Sequence, residues 1–119
     1  MPGKVLIVDD AAFMRMVIKD ILTKNGFEVV GEGADGEDGV QKYKDLKPDL
    51  TFMDIVMPKM EGIDALKAIM EYDPNAKVVM CSSIGQQSVV SDAITIGARD
   101  FIVKPFDAVK VLEVIQKVL

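Results

Sequence analysis

Polar side chains that could do chemistry together follow four separate apolar runs of the sequence. The first run ends in the acidic pair Asp9 and Asp10, a later run ends in Asp54, and the last two lead into Ser82 and Lys104. Three carboxylates within about 4 Å of one another would repel by roughly 1–4 kcal/mol per pair, so such a cluster favours a bound cation. All-oxygen ligands with open positions suit Mg²⁺, which keeps several of its waters. These residue types therefore predict a Mg²⁺ site, if the fold brings them to one place.

Each of these residues also has an ordinary structural explanation. Asp10 and Ser82 could cap helices, Asp54 could belong to the turn before Pro58, and Lys104 could be a solvated surface lysine. Taken singly, these explanations compete well with a functional role. Taken together they weaken, because unpaired carboxylates that share one crevice need a compensating charge.

The composition excludes several other kinds of chemistry. There are 14 Lys and Arg against 19 Asp and Glu, a net charge of −5, so the field of the whole molecule repels nucleic acid and anionic lipid. Histidine is absent and Cys81 is the only cysteine, which excludes Ser-His-Asp triads, an internal disulfide and an ordinary zinc site. We interpret Cys81 as a small buried hydrophobic residue. No apolar run is long enough for a signal peptide or a membrane span, so we expect a cytoplasmic protein with no membrane partner.

Short apolar runs alternate with helical patterns along the whole chain, which is the signature of βαβ units around a parallel sheet. The predicted strands are residues 4–9, 28–32, 49–54, 76–81 and 99–103. The first predicted helix runs from about Phe13 to the stop at Asn25 and Gly26, and the second from the N-cap Asp35 to Leu46. The third carries the inner stripe Ile63, Leu66, Ile69 and Met70, and the last two are residues 86–96 and 107–119.

These elements predict one α/β domain over residues 1–119, a doubly wound (βα)5 three-layer sandwich with helices on both faces of an open sheet. In such sheets ligands bind outside the carboxyl ends of the strands. The acids, Ser82 and Lys104 all fall at these ends. The fold therefore supports the hypothesis that they face one crevice.

These residues together resemble the receiver domains of two-component response regulators, over the whole chain. The resemblance rests on VLIVDD at residues 5–10, MDIVMP at 53–58 followed by Glu61 and Gly62, Ser82, and FIVKPF at 101–106 after Gly97 and Ala98. The stretch from Asp9 to Arg15 is most similar to the chemotaxis branch. The resemblance implies a flavodoxin-like sheet with strand order 2-1-3-4-5 and a cis peptide bond between Lys104 and Pro105.

The resemblance also implies roles for the acidic residues. Asp54 is expected to be the phosphoacceptor, whose carboxylate attacks the phosphorus of a phosphohistidine on a partner kinase. Mg²⁺ is expected to be held by Asp10, Asp54 and the backbone carbonyl of Val56, with Asp9 contributing through a bound water. Positioning and charge neutralisation are then the main catalytic contributions, because the transferring group is anionic.

Three further residues complete the implied site and switch. Lys104 is expected to pair with one phosphoryl oxygen, and Ser82 to donate a hydrogen bond to another. Signalling follows when the Ser82 hydroxyl is drawn to the phosphoryl group and the aromatic ring of Phe101 swings inward. Because Phe101 has no hydroxyl, such a switch depends on packing. An ordinary core aromatic is the alternative interpretation of Phe101.

The implied function is that of a stand-alone, monomeric response regulator in chemotaxis. A sensor histidine kinase of the CheA type would phosphorylate it, and the phosphorylated form would bind a flagellar motor switch protein or an archaeal adaptor, with a dedicated phosphatase as a further partner. It is expected to assist its own phosphorylation and dephosphorylation without being an enzyme. The fourth helix has an apolar arc of roughly 160°, wider than an amphipathic helix needs. We therefore predict that Val89, Ala93 and Ile96 border the partner surface, unless that helix is simply buried more deeply.

Two residues flank the expected path of hydrolytic water. Val56 and Ile84 have no hydrogen-bonding side chain to orient that water, so we predict slow self-dephosphorylation. Three other functions remain open at this point. One is a phosphorelay intermediate that passes phosphate to a second histidine protein, and another is an aspartate-nucleophile phosphatase, although the first-strand acids are adjacent. The third is a flavodoxin-like cofactor binder, although no phosphate-cradling loop follows the first strand.

Overall fold

Strands and helices alternate strictly along the computed structural model, which describes residues 3–83 and 87–119. The strands are β1 Lys4–Val8, β2 Glu28–Gly33, β3 Leu50–Asp54, β4 Val78–Ser82 and β5 Asp100–Val103. The helices are α1 Ala12–Lys24, α2 Gly36–Leu46, α3 Gly62–Tyr72, α4 Gln87–Ile96 and α5 Ala108–Val118. The predicted elements are confirmed, with strand ends displaced by a residue or two, and the predicted helix start at Gln86 lies outside the described residues. None of the helices in the described ranges is long and apolar enough to cross a membrane.

The five strands form one parallel sheet in the order β2-β1-β3-β4-β5, which confirms the predicted order and the flavodoxin-like fold. Successive strands are added on one side of β1 as far as β2 and on the other side from β3 onwards. This switch in strand order between β1 and β3 opens a crevice at the carboxyl ends of the strands. The register pairs Val8 with Met53 and Asp54 with Cys81. Residues that follow β1 and β3 therefore emerge side by side.

Side chains of β1 point alternately into two separate cores. Leu6 and Val8 pack on the side covered by α2, α3 and α4, whereas Val5 and Ile7 pack on the side covered by α1 and α5. All four are at most 1% exposed. A strand buried on both faces needs a continuous apolar sequence, and burying each such side chain contributes about 1.5–3 kcal/mol. The predicted three-layer arrangement is thereby confirmed.

The loop after β3 is closed by close backbone contacts. The Gly62 amide donates to the carbonyl oxygen of Ile55 at 2.6 Å. A Cβ atom on Gly62 would lie 1.8 Å from the carbonyl oxygen of Asp54, so only glycine allows this approach. On the other side, the Gly36 amide at the start of α2 donates to the carbonyl oxygen of Met60 at 3.1 Å. The loop that follows Asp54 is consequently held at both Ile55 and Met60.

Candidate functional site

Three carboxylates meet at the carboxyl ends of β1 and β3. One oxygen each of Asp9, Asp10 and Asp54 lies within 4.8 Å of the other two. Asp9 is 2% exposed and Asp54 is 9% exposed, whereas Asp10 is open to solvent. The structure thus brings together the acids that the sequence places 45 positions apart, with two at the floor of the crevice and one at its mouth.

Lys104 reaches this cluster from the end of β5, across the end of β4. Its Nζ lies 2.7 Å from Oδ2 of Asp9 and 3.5 Å from Oδ2 of Asp54. The Lys104 amide donates to the carbonyl oxygen of Ser82 at 2.8 Å, which ties the two strand ends together. The peptide bond between Lys104 and Pro105 is cis, as expected. The ammonium group therefore compensates part of the negative charge of the cluster.

Backbone amides hold the other oxygen of each buried acid. Oδ1 of Asp9 accepts from the Ala11 amide at 2.9 Å, and Oδ1 of Asp54 accepts from the Ile55 amide at 2.8 Å. Each carboxylate thus turns one oxygen towards the backbone and the other towards Lys104. Such pre-positioning lowers the reorganisation that a reaction would require.

Burial and charge shift the pKa values of the two central groups. Burial raises the pKa of the Asp54 carboxyl, and the charge of Asp9 raises it further, so that together they outweigh the opposing effect of Lys104. For Lys104, burial alone would lower the pKa. The hydrogen bond to Asp9 and the charges of Asp54 and Asp9 outweigh burial, and the pKa lies above its usual value. Lys104 is therefore a cation throughout the physiological range.

Ser82 and Phe101 lie beside the cluster on β4 and β5. Ser82 is 2% exposed and pairs with Val103, the residue directly before Lys104. Phe101 is 8% exposed and packs in the core between the sheet and α2, α3 and α4. The Phe101 ring therefore occupies an inward position, and its role as a switch stays a prediction.

The family profile described as "Response regulator receiver domain" matches residues 5–116 of this chain. The chain belongs to this family. Receiver domains are signalling modules, so membership favours the receiver interpretation over a phosphatase or a flavin-type cofactor binder. We call Asp9, Asp10, Asp54 and Lys104 together the receiver site, and their roles in phosphorylation stay a prediction.

Close relatives of this receiver domain carry chemotaxis names. The chemotaxis protein CheY of Thermotoga maritima is 60% identical over 118 residues, which cover 99% of this chain and 98% of that protein. CheY of Bacillus subtilis is 62% identical over 119 residues, covering 100% and 99%. A solved structure of the CheX-CheY-BeF3-Mg complex from Borrelia burgdorferi matches with a TM-score of 0.97 at 45% identity, covering 99% of this chain and 90% of that one.

The donor set of this receiver site fits Mg²⁺. All three side chains offer carboxylate oxygens, the hard ligands that Mg²⁺ prefers, and the exposure of Asp10 leaves room for water ligands. The predicted contribution of the Val56 carbonyl stays a prediction. The Val56 side chain is 55% exposed. Ile84, the second residue predicted to flank hydrolytic water, lies outside the described residues.

The prediction that Ala93 borders the partner surface is wrong. Ala93 is 0% exposed and belongs to the core, because α4 packs against both α3 and β5 and turns this small residue towards them. Val89 and Ile96 are half-buried and pack against the same core. The accessible apolar side chain of α4 is Ile94, which is 46% exposed. The wide apolar arc thus mostly reflects deeper burial of the helix.

Two further observations concern residues near the receiver site. Cys81 is buried, as predicted, and burial raises the pKa of its thiol to about 12, so it is not a nucleophile. Arg15, which sequence reasoning overlooked, donates from Nη1 to the backbone carbonyl of Asp9 at 2.5 Å. A basic residue in the first turn of the helix that follows an acidic pair is the signal that could have identified it.

Proposed function

We propose that this receiver domain accepts a phosphoryl group on Asp54 from the phosphohistidine of a CheA-type sensor kinase. A carboxylate oxygen of Asp54 attacks phosphorus as the P–N bond to the histidine breaks. The bonding electron pair stays with the imidazole nitrogen, which then takes a proton from solvent. The products are an aspartyl phosphate on this chain and a neutral histidine on the kinase.

The position of Lys104 is the observation that carries this proposal. Its Nζ lies within 4 Å of both buried acids, although it is separated from Asp9 by 95 positions in sequence. An ammonium group beside a carboxylate nucleophile provides a point charge for an incoming phosphoryl oxygen. Ser82, from the neighbouring strand end, would donate a hydrogen bond to another oxygen of the same group.

Asp9 and Asp10 would serve mainly to hold the metal, whereas Asp54 would both bind the metal and accept the phosphoryl group. Asp10, Asp54 and the carbonyl of Val56 would coordinate Mg²⁺ directly, and Asp9 would do so through a water. When bound, Mg²⁺ neutralises charge that develops on the transferring phosphoryl group. The fixed orientation of Asp9 and Asp54 by the Ala11 and Ile55 amides supports this assignment.

The output of the phosphorylated protein would be the binding of a motility component in chemotaxis. The names of the closely related CheY proteins support the chemotaxis role. The partner would be a flagellar motor switch protein or an archaeal adaptor. A protein of the CheX type is a further candidate partner, because CheX is in complex with the similar CheY of Borrelia burgdorferi, and the dedicated phosphatase stays a prediction. Val89 and Ile96 would lie at the edge of the surface, and Ser82 and Phe101 would connect it to the phosphorylated site.

Incubation with Mg²⁺ and acetyl phosphate, followed by intact-protein mass spectrometry, tests the proposal. Wild-type protein should gain the mass of one phosphoryl group, and hydroxylamine, which cleaves acyl phosphates, should remove it. Asp54→Asn should gain nothing. Asp64→Asn, which changes an exposed acid of α3, is the matched control and should label like wild type. Labelling of Asp54→Asn to the wild-type level, or equal labelling after removal of Mg²⁺, would contradict the proposal.

A further inference from the structure

Arg15 joins the ends of β1 and β2 beside the acidic cluster. Its Nη1 donates to the carbonyl oxygen of Asp9 at 2.5 Å, and its Nε donates to Oε1 of Glu32 at 3.1 Å. The Arg15 side chain is only 18% exposed. These contacts use a planar group with several fixed donors, which a lysine does not have.

Arg15 binds the Asp9 carbonyl just beyond the end of β1. The Asp9 amide still donates to the carbonyl oxygen of Gly33 at 3.0 Å, one residue beyond the last paired residue of β1. The Asp9 carbonyl instead accepts from the Arg15 side chain. A buried carbonyl needs such a partner. Arg15 therefore takes the place of a further strand residue and fixes the backbone from which both first-strand acids project.

Glu32 keeps the guanidinium in this position. Besides the bond from Arg15, the Glu32 carboxylate lies 3.6 Å from Nζ of Lys19, and its backbone carbonyl accepts from Lys42. The guanidinium group of Arg15 carries a positive charge. Its pairing with Glu32 directs that charge to a carboxylate outside the acidic cluster.

We propose that Arg15, held by Glu32, is a positioning residue for the Mg²⁺ site, where it sets the backbone of Asp9 and thereby the direction of Asp9 and Asp10. This inference rests on the proposed function, because it concerns the affinity of the same site for Mg²⁺. A charge effect of Arg15 and a positioning effect of Arg15 would change the Mg²⁺ affinity in opposite directions. Removing a nearby positive charge would tighten Mg²⁺ binding, whereas loss of positioning weakens it, as is usual when a partner that orients metal ligands is removed.

Isothermal titration with Mg²⁺ distinguishes the two effects. Arg15→Lys keeps the charge and Arg15→Met removes it, and both should weaken Mg²⁺ binding by about tenfold. Lys19→Met is the matched control, because Lys19 also lies on α1 and pairs with Glu32, but it makes no hydrogen bond to Asp9 in the described part of the chain. Its Mg²⁺ affinity should stay within about twofold of wild type, since only an exposed, screened charge is removed. At saturating Mg²⁺, labelling of Arg15→Lys by acetyl phosphate should recover, because Asp54 and Lys104 are unchanged.

Several outcomes would overturn the inference. Wild-type affinity in Arg15→Lys, or tighter binding in Arg15→Met, shows that Arg15 acts through charge or not at all. If either variant loses its far-UV circular dichroism, Glu32→Asp decides, because it leaves Arg15 in place and keeps the negative charge, while the shorter side chain draws the carboxylate away from Nε of Arg15. Weaker Mg²⁺ binding by Glu32→Asp then supports positioning, and unchanged binding overturns it. Failure of the wild-type protein to bind Mg²⁺ would instead overturn the proposed function itself.

Discussion

Nζ of Lys104 lies closer to Asp9 than to Asp54, at 2.7 Å against 3.5 Å. The ammonium group is thus held mainly by an acid other than the proposed phosphoacceptor. Asp54 keeps a weaker contact, and its pKa stays raised by burial despite the nearby cation. This arrangement would keep a cation available for an incoming phosphoryl group and leave Oδ2 of Asp54 only weakly paired.

Replacing Lys104 with Met should separate metal binding from phosphorylation. Labelling by acetyl phosphate should fall by about tenfold or more, because the point charge for a phosphoryl oxygen is lost. Mg²⁺ should bind more tightly, because a competing cation is removed from between Asp9 and Asp54. Titration calorimetry and mass spectrometry measure the two effects, with Lys67→Met on the exposed side of α3 as the control. Weaker Mg²⁺ binding in Lys104→Met would contradict this account of the cluster.

Replacing Val56 with Asn should shorten the lifetime of the phosphorylated protein. The Val56 side chain is 55% exposed, so the change leaves the core intact. An amide at this position could orient the attacking water, which valine cannot do. The decay of the phosphorylated mass after removal of acetyl phosphate measures the lifetime. Val109→Asn, at a 62% exposed valine of α5, should leave it unchanged, and an unchanged or longer lifetime in Val56→Asn would count against the prediction.

Replacing Thr51 with Val should stabilise the fold. Thr51 is 0% exposed, and its Oγ1 has no hydrogen-bond partner among residues 3–83 and 87–119. Valine has nearly the same shape and removes the unsatisfied hydroxyl, so the free energy of unfolding should rise by about 1 kcal/mol. Urea titration measures this difference. Thr51→Ser retains the hydroxyl but loses a buried methyl group and should be less stable than wild type; a destabilised Thr51→Val would show that the hydroxyl is satisfied.

Replacing Tyr43 with Phe should lower the free energy of unfolding at neutral pH. It should also reduce the amount by which that free energy falls in alkali. The Tyr43 hydroxyl donates to Oδ2 of Asp73 at 2.8 Å, and its loss should cost about 1 kcal/mol. Burial, and then Asp73, raise the pKa of Tyr43 above its usual value. A raised pKa in the folded state means that the stabilisation is complete below about pH 10 and is lost as the pH rises further.

Urea titrations at neutral pH and near pH 11 test this prediction. The difference between wild type and Tyr43→Phe should shrink at the higher pH, because only wild type must then keep a buried phenol protonated. Tyr72→Phe is the control, since this ring is 48% exposed and its edge contact with Tyr43 does not need the hydroxyl. A difference that is constant with pH would contradict the assigned hydrogen bond.

The fold was largely predictable because its strands are buried on both faces. A run such as Val5–Val8 is continuously apolar for that reason, and the handedness of βαβ crossovers limits how the runs can be connected. Apolar runs do not show which strands are neighbours, so the strand order depended on the family resemblance. The burial of Ala93 was not predictable either, since helical periodicity defines a face but not how deeply a neighbouring helix covers it.

The sequence by itself determined the chemical inventory of this protein: acids at the ends of two strands, a lysine after the last strand, and no histidine that could donate a phosphoryl group. Only the tertiary structure decided which of these groups pair with one another. It placed Lys104 nearer to Asp9 than to Asp54, and it used Arg15 to hold the carbonyl of Asp9. The physical reason is that strand pairing brings distant residues to one edge, whereas bonds of about 3 Å depend on side-chain directions that are set only when the helices pack on the sheet.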